Sequence, residues 1–189
     1  SFFHEHRFLV GVSLDGYRDL HDWLRPDAQG AGTFSRVMHA IEVLRAHEVE
    51  FNVLTVLTAQ LARHPQKLYR FYRDHHLDYV QLIPCLPGLD DEADEFSLTP
   101  ELFASFYRVF YRQWLDEYQH GHYRSVTLFD NVIPLFAGVV PQQCGMLGQC
   151  APQFVVESSG DVYPCDFYVL DQYRCGNICT NTLEELATC

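Results

Sequence analysis

Three apolar runs separated by two stretches of helical periodicity set the strongest constraint on how this chain can fold. The runs are Arg7 to Asp15 (RFLVGVSLD), Val49 to Leu57 (VEFNVLTVL) and Leu77 to Pro84 (LDYVQLIP). Between the first two, Phe34, Val37, Met38, Ile41 and Leu44 recur at spacings of three and four behind Thr33, a natural helix cap. Between the second and third, Pro65 to His75 sets Leu68, Phe71 and Tyr72 on one helical face. Strand, helix, strand, helix, strand with connections of this length demands parallel strands and right-handed crossovers. The first run is apolar almost throughout, as expected of a strand covered on both faces. Pro26, Gly30 and Gly32 mark the stretch after it as a loop. The pattern predicts an α/β chain, a slice of a barrel or of a doubly wound sheet.

In such folds ligands bind beyond the carboxyl ends of the strands, where this chain offers Ser13, Asp15, Thr55, Thr58, Gln81 and Pro84. Those types alone are equally those of ordinary strand exits, and Asp15 reads as a turn cap. Residues 88–96 (GLDDEADEF) form an acidic segment without the spacing of a calcium loop, hence a solvated linker. Thr99, Pro100 and Glu101 then announce a helix. Its aromatic stripe, Phe103, Phe106, Tyr107, Phe110 and Trp114, has the spacing of a core face. After a less legible stretch from Val126 to Val140, residues 154–157 and 161–163 flank Ser158-Ser159-Gly160 as a hairpin. A short helix is expected from Thr182 to Ala187.

Composition removes several function classes. The net charge is −12 with only 13 Lys and Arg, so no basic stripe is available to neutralise a nucleic-acid backbone or to seek an anionic membrane. The opening residues lack both a spanning apolar run and the architecture of an export signal, which suggests a cytoplasmic protein. The absence of an initiator Met, and the near-immediate entry into a strand, suggest part of a longer chain.

Seven cysteines, six of them after residue 143, point to metal chemistry in a non-exported chain. The hairpin brings Cys165 back towards Cys144 and Cys150, with Asp166 directly after the third thiol. From Cys144 onwards the intervening lengths are five, fourteen, nine, three and nine residues, with no C-x-x-C knuckle of the kind zinc sites favour. An iron–sulfur cluster tolerates dispersed thiolates because each iron asks for one. Spacing leaves a cluster, zinc and unliganded thiols all open.

The chain resembles radical S-adenosylmethionine enzymes with a SPASM auxiliary-cluster domain, and most closely the anaerobic sulfatase-maturating enzymes. The resemblance runs through FLVGVSLDGYRDLHDWLR (residues 8–25), GTFSRVMHAIEVLRAHEVEFNVLTVL (32–57), YVQLIP (79–84), C-x5-C-x6-ESSGDVYPCD (144–166) and GNI (176–178). It implies a partial (β/α) TIM-like barrel over residues 1–96, a helical linker over 97–140 and a truncated SPASM iron–sulfur domain with a β-hairpin over 141–189. It implies 4Fe-4S clusters and S-adenosyl-L-methionine as cofactors. The family's CxxxCxxC loop and its CxxC-x5-C-x3-C motif are not in this sequence. Cys144, Cys150 and Cys165 match three ligands of the first auxiliary cluster, whose fourth is expected beyond residue 189, with Cys175 or Cys179 as a substitute. Asp166 matches the family's general base, a role that partial burial beside a cluster ligand would favour. Ser13 and Arg25 match contacts to the carboxylate of S-adenosylmethionine. Cys85, Cys175, Cys179 and Cys189 are otherwise read as buried free thiols.

The implied reaction oxidises a cysteine or serine of an unfolded sulfatase to formylglycine, with ferredoxin or flavodoxin as electron donor. Two rivals remain: a SPASM enzyme that builds thioether or carbon–carbon crosslinks in a peptide, and a noncatalytic fragment or peptide-binding module.

Overall fold

A computed structural model describes residues 1–88, 91–150 and 153–188. The acidic segment 88–96 is therefore described only in part, and Cys189 lies outside the described residues. The chain forms two compact units, Ser1–Ile133 and Pro134–Cys189.

The first unit begins with a one-turn helix α1 (Phe2–Glu5), then β1 (Leu9–Ser13), α2 (Arg18–Leu24), α3 (Phe34–Ala46) and β2 (Glu50–Leu57). It continues through α4 (Ala59–Ala62), α5 (Pro65–Asp74), β3 (Tyr79–Pro84), α6 (Pro100–Gln119), β4 (Ser125–Val126) and α7 (Thr127–Val132). The four strands form one parallel sheet in the order β1-β2-β3-β4, with Val12 beside Val53, Val53 beside Val80, and Val80 beside Val126. That row faces the core, where Val53, Leu57, Val80, Leu82 and Val126 are buried with Ile41, Leu68 and Tyr72 from the helices.

The aromatic stripe of α6 completes this core. Phe106 and Phe110 are fully buried and stacked at 5.1 Å, and Phe110 meets Tyr69 edge-on at 5.0 Å. Thr99 caps the helix by accepting from Leu102 N–H, with Pro100 at the first position, as the sequence suggests. The segment read as a helical linker thus contributes α6, β4 and α7 to the sheet unit. Below the stripe, Arg124 is 1% exposed and donates to Leu77 O, Asp78 and Glu117. Three acceptors around one guanidinium are what a buried cation requires.

Three expectations are corrected. β1 is not covered on both faces: Leu9, Gly11 and Ser13 are exposed, because the helices of this unit cover only the alternate row. The stretch read as loop between β1 and α3 contains α2, on which His21 is fully buried. Thr33 does not cap α3 with its side chain. The Phe34 N–H is satisfied instead by Asp22 Oδ1 at 2.7 Å, which releases the Thr33 hydroxyl for other partners.

The second unit holds a three-stranded antiparallel sheet of β5 (Val155–Val156), β6 (Asp161–Tyr163) and β7 (Gly176–Asn177), then α8 (Leu183–Leu186). Gly160 closes the β5–β6 turn at φ +85°, a conformation that disfavours any side chain. Thr182 and Glu185 form a reciprocal capping box at the start of α8.

Replacing Phe110 with Ala removes a ring from the middle of the shared core. The expected loss is about 3–5 kcal/mol of unfolding free energy in urea titration, with the parallel-sheet unit melting first.

Candidate iron–sulfur and anion sites

In the second unit the β5–β6 hairpin and the strap leading into it surround a cavity of about 310 Å³. Cys144, Cys150 and Cys165 line it with Cys175, and Phe154, Pro164, Tyr168 and Leu186 supply apolar walls. Cys144 opens a 3-10 turn, and Cys165 follows β6 with extended backbone, so strand pairing determines where its thiol points. Gly176 on β7 permits the close approach that seals one side: a Cβ there would stand 2.7 Å from Asn181 Oδ1 and 2.9 Å from Leu186 Cδ2.

The thiols bound a volume rather than converge on a point. Among the described residues no group of three His, Cys, Asp or Glu is gathered tightly enough for a single ion. That arrangement suits a cluster, whose irons are spread over several ångströms, better than a tetrahedral zinc. The donor set fits an iron–sulfur group, and Cys144, Cys150 and Cys165 are all free thiols.

The Cys165 thiol donates to Asp166 Oδ1 at 3.2 Å. A hydrogen bond from the Phe167 backbone pulls the Cys165 pKa down, but burial, Asp166 and neighbouring Cys144 outweigh it and push the thiol up. Asp166 itself is exposed in this unit, not partly buried as its reading as a base supposes, because it sits on the 3-10 turn that leaves β6. The reading of Cys175 and Cys179 as buried free thiols also fails: Cys175 is disulfide-bonded and Cys179 is exposed. Cys85 is free and half-buried, its thiol pushed up by burial and by Asp94 and Asp15.

In the first unit, Ser13 ends β1 exposed on the row away from the helices. Arg25 follows α2, and its Nε–H donates to Asp15 Oδ2 at 2.5 Å. Asp15 is 3% exposed and also accepts the Val56 N–H at 2.8 Å, so it braces β1 against β2 instead of capping its own turn. Two other strand-end candidates serve the scaffold. Thr55 is fully buried and donates to Leu14 O, and Thr58 caps α4.

Sequence reasoning missed His21. Its Nδ1 accepts the Asp15 N–H at 3.1 Å, and its Nε2 lies 3.0 Å from Thr33 Oγ1. The available signal was its placement four residues before Arg25 on one helical stretch. Burial, with a further push from Arg25, holds its pKa below the ordinary 6.5 against the pull of Asp15 and Asp22. A base whose folded pKa is depressed stays neutral while the unfolded chain takes up a proton, so its stabilising contribution is complete above pH 6.5 and declines as pH falls below it. The thermal midpoint is expected to drop between about pH 7 and 5.5, and less steeply in His21→Phe, which has no ring nitrogen to protonate.

Comparison with known proteins bears on both sites. Residues 144–188 match the SPASM family, described as an iron–sulfur cluster-binding domain. The chain is 40% identical over 188 residues to a cysteine-type anaerobic sulfatase-maturating enzyme of Clostridium novyi, covering 98% of this chain and 50% of that protein. It is 31% identical to a serine-type counterpart from Bacteroides thetaiotaomicron, again covering 98% of this chain but 48% of the relative. A solved structure of native anSMEcpe with bound AdoMet and the Kp18Cys peptide superposes with a TM-score of 0.90 at 40% identity, over 98% of this chain and 52% of that one. The chain thus spans about half the length of these relatives. By sequence and by fold the chain is similar to the anaerobic sulfatase-maturating enzymes over the half of their length that it spans, and its residues 144–188 match the iron–sulfur cluster-binding SPASM domain.

Proposed function

We propose that the whole protein is a radical S-adenosylmethionine oxidoreductase that converts a cysteine or serine of a sulfatase to formylglycine. The observation that carries this reading is the gathering of Cys144, Cys150 and Cys165 around one cavity, with the Asp166 carboxylate directly beside Cys165. When bound, S-adenosylmethionine supplies the hydrogen-abstracting radical, and the 4Fe-4S clusters carry the electrons.

This chain's own residues have separable tasks in that scheme. Cys144, Cys150 and Cys165 hold three corners of an auxiliary cluster, each as thiolate, the form that binds iron. Asp166, tethered next to a cluster ligand, takes the proton released as the substrate side chain is oxidised, which places proton and electron acceptors at a fixed separation. Ser13 and Arg25 bind the carboxylate of S-adenosylmethionine through hydroxyl and guanidinium donors. The parallel sheet of the first unit is an arc of a (β/α) barrel, its exposed row of Leu9, Gly11 and Ser13 facing the barrel interior. In this assignment residues 1–96 are barrel, 97–140 link while packing α6, β4 and α7 onto the barrel arc, and 141–189 are the auxiliary-cluster domain. The substrate is an unfolded protein or peptide segment, and a ferredoxin or flavodoxin is the electron donor. A reducing, cytoplasmic compartment suits the free thiols of Cys85, Cys144, Cys150, Cys165 and Cys179, with the disulfide-bonded Cys175 the exception among the described cysteines.

The test uses the full-length protein, reconstituted anaerobically with iron and sulfide and given S-adenosylmethionine with a cysteine- or serine-containing sulfatase peptide. Mass spectrometry is expected to show conversion of the side chain to the aldehyde. Asp166→Asn is expected to lower the rate at least about 100-fold while iron content is unchanged. Cys150→Ala is expected to lower bound iron and sulfide. A full rate in Asp166→Asn, or crosslinked peptide without aldehyde, sinks the respective assignment.

A further inference from the structure

We infer that Asp15, His21 and Thr33 form a positioning ring whose task is to aim Arg25 at the carboxylate of S-adenosylmethionine. The inference rests on the proposed role of Arg25 and deepens it.

The four residues make a closed circuit. The backbone N–H of Asp15 donates to His21 Nδ1 at 3.1 Å. A main-chain N–H can only donate, so the proton of the neutral imidazole sits on Nε2 and points at Thr33 Oγ1, 3.0 Å away. The Thr33 hydroxyl in turn donates to Arg25 O at 2.7 Å. Arg25 Nε–H returns to Asp15 Oδ2 at 2.5 Å. Both ends of Arg25, its carbonyl and the root of its guanidinium, are therefore held by the same ring.

The ring is sheltered and anchored. His21 is fully buried with Phe34 edge-on at 5.9 Å, and Val56 N–H ties Asp15 Oδ1 to β2 at 2.8 Å. Each bond has a direction set by its neighbour, so no member can rotate away without orphaning a buried polar group.

What the ring leaves unused is informative. The two terminal amino groups of Arg25 have no partner among the described residues, and the side chain is 38% exposed. A guanidinium pinned at Nε with its terminal fork open presents paired donors to a planar anion. Holding the long arginine side chain in one rotamer removes, before a ligand arrives, conformational entropy that binding would otherwise cost. Thr33 contributes although it touches no ligand, and its diversion from capping α3, taken over by Asp22, is explained by this second task.

The test measures anaerobic equilibrium binding of two probes, S-adenosylmethionine and its decarboxylated analogue, to the reconstituted full-length protein. Arg25→Ala is expected to weaken S-adenosylmethionine about 10- to 100-fold and the analogue little. Thr33→Val, which keeps the shape and deletes the hydroxyl, is expected to weaken S-adenosylmethionine about 5- to 10-fold, again sparing the analogue. Thr33→Ser should restore binding, and Thr33→Val should add nothing in the Arg25→Ala background. His21→Phe should behave as Thr33→Val does, with thermal midpoints recorded for all variants. If Thr33→Val weakens both probes alike, or keeps its effect without Arg25, the positioning ring is overturned while the Arg25 contact stands. If Arg25→Ala weakens both probes alike, the carboxylate contact itself falls, and the ring's purpose with it.

Discussion

Burial of one face of a four-stranded parallel sheet is the constraint on which the first unit depends. Parallel strands cannot be joined by tight turns, so each is followed by a crossover, and α3 and α5 bring the apolar rows that cover Val53, Val80 and Val126. The aromatic face of α6 extends the same cover. Because the helices lie over one row, the alternate row, with Ser13 at its carboxyl end, stays open. Strand polarity also brings every carboxyl end to the same edge, and there Asp15 joins β1, β2 and the Arg25 loop through three hydrogen-bond partners if its own N–H is counted with its carboxylate.

The second unit has little apolar interior, and its order comes from local polar geometry. Asn177 illustrates this: its side chain donates to Ser159 O and Asp161 Oδ1, tying β7 to the β5–β6 turn, while Arg174 pairs with the same aspartate. The competing hydrogen bonds hold Asp161 below the usual carboxylate range, led by Asn177, then Ser159 and Arg174. Such a frame suits a segment whose interior is set aside for a thiol-lined cavity. An iron–sulfur group bound there would contribute cohesion that a small hydrophobic core cannot.

Much of this was legible in the chain. The strand–helix alternation, the Thr99-Pro100 helix start and the Gly160 turn are local signals, and each appears close to its expected bounds. The gathering of Cys144, Cys150 and Cys165 followed from the hairpin between them. Thr33 shows why other features were not legible. A threonine before an apolar periodic stretch has the same local appearance whether it caps the helix or lends its hydroxyl to a residue eight positions earlier. Asp22 decides between them from a helix that the pattern did not announce. His21 is a similar case, since a polar residue in a charged stretch reads as solvated until packing buries it.

The amino-acid sequence by itself determined the element order, the parallel sheet, the hairpin and the thiols it collects, because those depend on periodicity, turn chemistry and spacing along the chain. Only the tertiary structure decided that one row of β1 stays open, that Asp15 braces two strands, that Asp166 stands exposed beside Cys165, and that His21 and Thr33 hold Arg25. Those outcomes depend on which groups meet across long separations and on which of them water can still reach.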